Sequence, residues 1–173
     1  MSVADYVNER KLYGTRPLIN NSTQHMDTVF VSFDFENDKR YKYLLEAWHA
    51  NPKFRFVFDD GTPTEIDSTN VGRVKAALTT KIKDATHTLI LVGAYANQPH
   101  RNRSLIGYKN WINFEARQSA DNGKRIAVVM LEPRNELPEE LSGVHYSVAP
   151  RFGEAEIMKA LQEAPFYPIQ RYG

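Results

Sequence analysis

The stretch Thr88-Leu89-Ile90-Leu91-Val92-Gly93 is the most hydrophobic run in the chain, and it decides the fold. Its apolar residues follow one another without the polar alternation of a strand that faces water on one side. An uninterrupted apolar run of this length is typical of a strand buried on both faces of a parallel sheet. We therefore predict a strand at 88–93, at the centre of the sheet.

Further apolar runs of similar length lie before and after this strand. They predict strands at 28–33, 54–58 and 126–131, with a short fifth strand at a sheet edge over 144–148. Helical spacing of apolar residues predicts helices at about 39–50, 69–84 and 111–122, and a closing helix marked by Phe152, Ile157 and Leu161. Asp38 is expected to cap the first helix, and Asp59-Asp60-Gly61 is expected to form a turn.

This alternation of strands and helices predicts the architecture of the chain. Continuous apolar strands joined through helices indicate a parallel sheet covered on both sides. The expected fold class is α/β, a flavodoxin-like three-layer sandwich with a central parallel sheet of four to five strands. We divide the chain into a polar N-terminal arm at 1–27, one domain at 28–163 and a C-terminal tail at 164–173.

Composition excludes several classes of function. The 173 residues suffice for one domain, and the formal net charge of +1 gives no electrostatic reason to expect a nucleic acid or a membrane as partner. The absence of cysteine excludes disulfides and thiolate metal sites. The N-terminus lacks the apolar region of a secretory signal, and no run approaches the roughly 20 apolar residues that span a bilayer. We expect a cytoplasmic protein.

Familiar cofactor and catalytic motifs are missing as well. The turn after the first strand carries no G-x-G-x-x-G, and neither a P-loop nor a G-x-S-x-G elbow occurs. The five histidines are scattered without metal-ligand spacing. Gly93-Ala94-Tyr95 stands where a receiver domain would need a carboxylate. We expect neither a metal nor a bound cofactor.

The segment Asn110-Trp111-Ile112-Asn113-Phe114-Glu115 carries the chemistry that remains. Asn110 is a favourable N-cap, so Trp111 and Glu115 stand at positions i and i+4 on one helix face. In parallel α/β sheets ligands bind outside the carboxyl ends of the strands. The loops expected at that edge are 32–38, 59–68 and 94–110, and the last leads directly into this segment.

Two motifs resemble those of a known family. The opening V-F-V-S-F-x-x-x-x-D at 29–38 resembles the start of a TIR domain, and W-I-N-F-E at 111–115 resembles the W-x-x-x-E of catalytic TIR domains. The order and spacing along 28–163 are similar to the bacterial TIR-like domains of Thoeris antiphage systems. One departure is Lys109, because many TIR domains carry Ser or Cys two residues before the Trp.

This resemblance implies an NAD+-consuming enzyme, a glycohydrolase or a cyclase that releases nicotinamide, with NAD+ as its substrate. Glu115 is then the catalytic residue. Residues that the resemblance or their charge places at the substrate are Ser32, Phe33, Asp34, Trp111, Arg101 and Arg103, the two arginines as charge-assisted donors to the diphosphate. Nicotinamide leaves a cationic ring as a neutral molecule, so one carboxylate suffices to stabilise the oxocarbenium-like transition state.

The resemblance also implies partners. TIR enzymes commonly complete their pockets by self-association, and a Thoeris enzyme would pass a cyclic ADP-ribose signal to a separate effector protein. Two alternatives stay open. A non-catalytic TIR interaction module would tolerate Glu115→Ala, whereas a nucleoside deoxyribosyltransferase-like enzyme, with a similar sheet and a catalytic Glu, would exchange bases on deoxynucleosides and ignore NAD+.

Overall fold

The computed structural model describes residues 27–50, 56–60 and 70–166. The predicted arm at 1–27, apart from Asp27, and most of the predicted tail at 164–173 therefore lie outside the described residues. The elements in chain order are β1 (Asp27–Ser32), α1 (Phe35–His49), β2 (Phe56–Asp60), α2 (Val71–Asp84), β3 (His87–Val92), α3 (Arg103–Ile106), α4 (Trp111–Asp121), β4 (Arg125–Met130), a 3-10 turn (Glu139–Leu141), β5 (Ser147–Ala149) and α5 (Glu154–Glu163). Within these ranges no helix is long and apolar enough to cross a membrane.

The five strands form one sheet in the order β2-β1-β3-β4-β5, and every pairing is parallel. β3 lies at the centre, where Leu89 pairs with Val31 on one side and with Ala127 on the other. All six residues of β3 are buried, as the continuous apolar run predicts. This order is that of a flavodoxin-like sheet, so the predicted α/β fold class is confirmed.

Side chains of each strand alternate between two helical layers. Val29 and Val31 pack with Leu45 of α1 and with Leu161 of α5. Phe30, between them, packs on the opposite face in the cluster that includes α2 and α4. This period of two is a property of any strand, and it assigns each β1 residue to one face of the sheet. Ser32 therefore faces the same side as Phe30.

The first helix begins earlier than the sequence predicted. Asp34, with an extended backbone, is the N-cap of α1, and its carboxylate accepts hydrogen bonds from the backbone N–H groups of Glu36, at 3.0 Å, and Asn37. Asp38 lies within the first turn of the helix and is buried, so its assignment as the cap is wrong. Two acidic residues four positions apart both qualify as caps by type, and only the backbone conformation distinguishes them.

The helix α4 begins where the sequence predicted. The Asn110 side chain accepts a hydrogen bond from the backbone N–H of Asn113 at 3.0 Å. Gly123, two residues past the end of the helix, adopts a φ of 65°. That left-handed conformation is strained for other residues, which explains a glycine at this stop.

Two strand boundaries differ from prediction. Asp59 and Asp60 are the last residues of β2 and pair with Phe30 and Val31, so the turn predicted there is wrong. Pairing with β1 extends the strand past two residues that favour turns. The predicted first residues of this strand, 54 and 55, lie outside the described residues. β5 is a parallel edge strand as expected, but it covers 147–149 instead of 144–148, because its pairing with β4 begins only at Ser147.

We predict that the central strand dominates stability. Leu91→Ala removes a fully buried side chain and should lower the free energy of unfolding by about 2–5 kcal/mol. Val148→Ala on β5 is the matched control. Because Val148 is 50% exposed, its truncation should lower the free energy of unfolding by well under half as much as Leu91→Ala. Urea unfolding followed by circular dichroism measures both. Equal losses for the two variants would contradict a sheet organised around β3.

Candidate active site

The strand order marks one position on the sheet edge. From β1 the chain passes to β2 on one side and later returns to β3 on the other, so the connections diverge between β1 and β3. In open parallel sheets such a divergence leaves a crevice outside the carboxyl ends of the two strands, and ligands bind there. The residues that end or follow these strands, Ser32 and Gly93, therefore mark the candidate site.

Ser32 and Glu115 meet at this edge although 83 positions separate them. Ser32 ends β1 on the face that α4 covers, and Glu115 lies one turn into α4. The Ser32 hydroxyl donates a hydrogen bond to Glu115 Oε2, and both side chains are buried, Glu115 with 4% of its surface exposed. A carboxyl held this way has a fixed orientation and very little contact with water.

Burial changes the acidity of Glu115. Removal from water disfavours the charged form and raises the pKa of Glu115 to about 8, while the hydrogen bond from Ser32 acts in the opposite direction. In the free protein this carboxyl is therefore mostly protonated near neutral pH. A strongly shifted carboxyl at the ligand-binding edge of a sheet is typical of a functional group, because burial of a charge is costly for the fold.

An asparagine network fixes the start of α4. Asn110 Nδ2 donates to the carbonyl oxygens of Ala96, at 2.8 Å, and Gln98, at 3.0 Å. Asn113, which is fully buried, donates to the Ala96 carbonyl and accepts from the backbone N–H of Glu140 at 3.1 Å. These bonds tie the loop before α4 and the 3-10 turn to the helix that carries Glu115. Sequence reasoning identified Asn110 as a cap but missed the role of Asn113.

Trp111 packs among aromatic side chains at the start of α4. Its ring makes edge-to-face contacts with Phe114, at a centroid distance of 5.8 Å, and with His100, at 6.4 Å. It lies half-buried against the cluster that contains Phe30. These contacts make Trp111 a residue that seats α4 on the sheet, and its predicted contact with substrate stays a prediction.

Phe33 and Asp34 do not join the contact between Ser32 and Glu115. Phe33 packs against the cluster of the other sheet face, and its ring lies 6.2 Å from that of Phe35. The Asp34 carboxylate is engaged as the cap of α1 and accepts a hydrogen bond from the Asn37 side chain at 2.8 Å. Ser32 and Phe33 are neighbours in sequence, but successive side chains of an extended chain lie on opposite faces of the sheet. Their predicted roles in substrate binding stay predictions.

The basic residues before α4 differ in their surroundings. Arg101 and Arg103 are both exposed to solvent, and Arg103 is the first residue of α3. Lys109, the departure from the TIR pattern, forms an ion pair with Glu139 of the 3-10 turn. It thereby holds the same loop that the asparagines hold. Diphosphate binding by the two arginines stays a prediction.

A cavity elsewhere in the fold contains none of the predicted site residues. It has a volume of about 500 Å³ and is lined by Gly143, Val144, His145, Tyr146, Glu163 and Pro165. These residues belong to the segment around β5 and the end of α5. We place the candidate active site at Glu115 instead, because a buried carboxyl with a shifted pKa carries chemistry that this open cavity lacks.

Comparison with known proteins identifies a family and a fold. A family model described as "Thoeris protein ThsB, TIR-like domain" matches residues 30–136. No curated protein matches the sequence. Among solved structures, a 2-deoxyribosyltransferase from the psychrotolerant bacterium Bacillus psychrosaccharolyticus is similar with a TM-score of 0.50 and 12% identity, over 82% of this chain and 98% of that chain. At that identity the likeness concerns the fold alone.

We predict that Glu115 destabilises the fold as pH rises. The pKa of Glu115 is about 8 in the folded protein, against 4.5 for an ordinary glutamate, so between these pH values the folded state holds a proton that the unfolded state has lost. The free energy of unfolding is therefore highest below the unfolded-state pKa, and it decreases with rising pH until the folded-state pKa is passed. As the pH rises from about 5 to about 8, the free energy of unfolding of Glu115→Gln should increase by roughly 2–4 kcal/mol relative to that of the wild type.

Urea unfolding at several pH values measures this difference. Asp121→Asn, at the exposed end of the same helix, is the control and should follow the pH dependence of the wild type. Parallel pH profiles for wild type and Glu115→Gln would show that Glu115 is not protonated in the folded state, contrary to the prediction.

Proposed function

This chain belongs to the family of TIR-like domains of the Thoeris protein ThsB, and from that premise we propose that it cleaves NAD+ between nicotinamide and ribose. The products would be nicotinamide and an ADP-ribose compound. The observation that carries the proposal is the buried hydrogen bond from Ser32 to Glu115 at the crevice between β1 and β3. An oriented carboxyl at this crevice supports the proposal, because parallel sheets bind ligands outside the carboxyl ends of their strands.

The proposed chemistry requires little more than this carboxyl. When the bond between the ribose C1′ and the nicotinamide ring nitrogen breaks, its electron pair stays on the nitrogen and neutralises the pyridinium charge. The leaving group needs no proton, and positive charge develops on the ribose. An ionised Glu115 held in a poorly solvated site would stabilise that charge more strongly than water does. Water or a ribose hydroxyl then forms the new bond to C1′ and loses its proton.

Ser32 has a supporting role in this proposal. Its hydroxyl orients Oε2 of Glu115, and its hydrogen bond favours the ionised form against the effect of burial. The cationic nicotinamide ring of a bound substrate would favour the same ionised form, because an opposite charge nearby lowers the pKa of a carboxyl. Substrate binding would thus bring Glu115 into its active state.

We extend the proposal to antiphage defence on the strength of the family. The ADP-ribose product, cyclic if a ribose hydroxyl captures the cation, would act as a diffusible signal for a separate effector protein. Self-association of the domain would complete the pocket.

We predict that nicotinamide release depends on Glu115. Glu115→Gln keeps the size of the side chain and removes the charge, so nicotinamide release should fall by about a hundredfold or more. Asp121→Asn, which also removes one carboxylate from α4, should retain wild-type activity. Chromatography of concentrated protein incubated with NAD+ measures the nicotinamide formed.

Other outcomes identify the alternatives. Nicotinamide release by both variants, or by neither variant nor the wild type under crowded conditions, would refute NAD+ cleavage at Glu115. Base exchange on deoxynucleosides without NAD+ consumption would indicate the deoxyribosyltransferase-like alternative. Full antiphage protection with Glu115→Ala would indicate a non-catalytic TIR module.

The second prediction concerns pH. Glu115 must be ionised to act, and its pKa in the free protein is about 8. Since kcat/KM reports groups of the free enzyme, it should rise roughly tenfold per pH unit towards about pH 8 and then level off. kcat reports the complex and should level off at a lower pH, because the substrate cation favours the carboxylate. A kcat/KM that is flat from about pH 6 upward would contradict this role.

A further inference from the structure

Asp38 has a position that neither helix capping nor the Ser32–Glu115 contact explains. It lies in the first turn of α1, which Asp34 already caps, and only 9% of its surface is exposed. Its carboxyl fills the space beside Gly93, the residue that follows β3. A Cβ built on Gly93 would lie 2.1 Å from Asp38 Oδ2 and 2.8 Å from Cγ. Glycine at this position is therefore what allows the carboxyl to approach the end of β3.

This approach brings Asp38 to the crevice from the face opposite to Glu115. Gly93 extends β3 beyond its carboxyl end, and β1, the neighbouring strand, ends at Ser32. The helix α1 packs on the sheet face of Val29 and Val31, whereas α4 packs on the other. The crevice between β1 and β3 thus has one carboxyl on each side.

The described part of the fold gains little from this carboxyl. Within residues 27–50, 56–60 and 70–166 no hydrogen bond to it is formed. Burial, followed by the nearby Asp34 carboxylate, raises the pKa of Asp38 to about 6, and Arg40 only partly opposes them. Glu36, exposed in the same turn, supplies the negative charge that favours a helix N-terminus without the cost of burial. Among the described residues Asp38 is thus a nearly buried acid whose carboxyl has no hydrogen-bond donor, and such a group is typical of a site that binds a ligand.

We propose that Asp38 is a second functional carboxyl, which accepts hydrogen bonds from ribose hydroxyls of the nucleotide bound in the crevice between β1 and β3. An ionised carboxylate only accepts hydrogen bonds, and its two oxygens suit a pair of neighbouring hydroxyl donors. The identity of the nucleotide rests on the proposed function. The position of the carboxyl at the crevice rests on the contact with Gly93.

The test combines nucleotide binding, turnover and stability in the whole protein. Asp38→Asn should weaken the binding of ADP-ribose, measured by calorimetry, by roughly tenfold to a hundredfold. For NAD+ cleavage it should raise KM by a similar factor and change kcat much less. Glu36→Gln removes a charge from the same helix turn at an exposed position and should leave the binding, KM and kcat unchanged.

Thermal melting separates ligand binding from a purely structural role. If Asp38 serves the nucleotide, Asp38→Asn melts at or above the wild-type temperature near neutral pH, because a buried charge is removed. If Asp38 only stabilises the helix N-terminus, Asp38→Asn and Glu36→Gln both melt lower and neither alters ADP-ribose binding. The second pattern would overturn the proposal.

Gly93→Ala tests the same site with Asp38 left in place. The new methyl group would displace the carboxyl, so ADP-ribose binding should weaken about as much as in Asp38→Asn. In an Asp38→Ala background the methyl has room, and adding Gly93→Ala should have no further effect on binding. Independent, additive losses from the two substitutions would overturn the proposal, since they would show that Gly93 does not act through Asp38.

The outcomes for Asp38 and for NAD+ cleavage are distinguishable. ADP-ribose binding that depends on Asp38, without nicotinamide release, would refute the proposed activity and support the Asp38 assignment. Nicotinamide release with equal KM in wild type and Asp38→Asn would support the activity and refute the assignment. No ADP-ribose binding by the wild-type protein would overturn the Asp38 assignment.

Discussion

The burial of β3 on both faces is the constraint on which the rest of the structure depends. A strand with six buried residues at the centre of a parallel sheet needs helices above and below it, and parallel neighbours can be reached only through crossover connections. Because of those connections, the carboxyl ends of all five strands lie at the same edge of the sheet. The crevice between β1 and β3, with the Ser32–Glu115 contact on one side and Asp38 on the other, is a consequence of this packing.

The buried carboxyls of the candidate site reduce the stability that the burial of β3 provides. Both carboxyls that flank the crevice have their pKa raised by burial, Glu115 to about 8 and Asp38 to about 6. Within the described residues the fold offers Glu115 one hydrogen bond, from Ser32, and holds its helix through the asparagine network around Asn113. Such groups destabilise a folded protein and persist where a function requires them.

Sequence patterns predicted most of the fold and part of the site. Apolar runs identified all five strands, because burial requires apolar side chains, and Asn110 marked the start of α4. The patterns gave a wrong assignment where residue type alone did not decide the local structure. Asp34 and Asp38 are both acceptable caps, and the extended backbone at Asp34 decided between them. Asp59 and Asp60 favour turns, yet pairing with β1 holds them in a strand. Such choices depend on contacts far away in sequence.

The sequence by itself determined the parallel α/β sheet, because hydrophobic periodicity is a local property of each segment, and it predicted Glu115 near the carboxyl edge of that sheet. The tertiary structure alone decided which side chains meet there. Ser32 reaches Glu115 and Phe33 does not, since alternate residues of β1 face opposite helical layers. Asp38 reaches the crevice because Gly93, 55 positions later, leaves room for its carboxyl. Contacts over such separations depend on how the helices pack on the sheet.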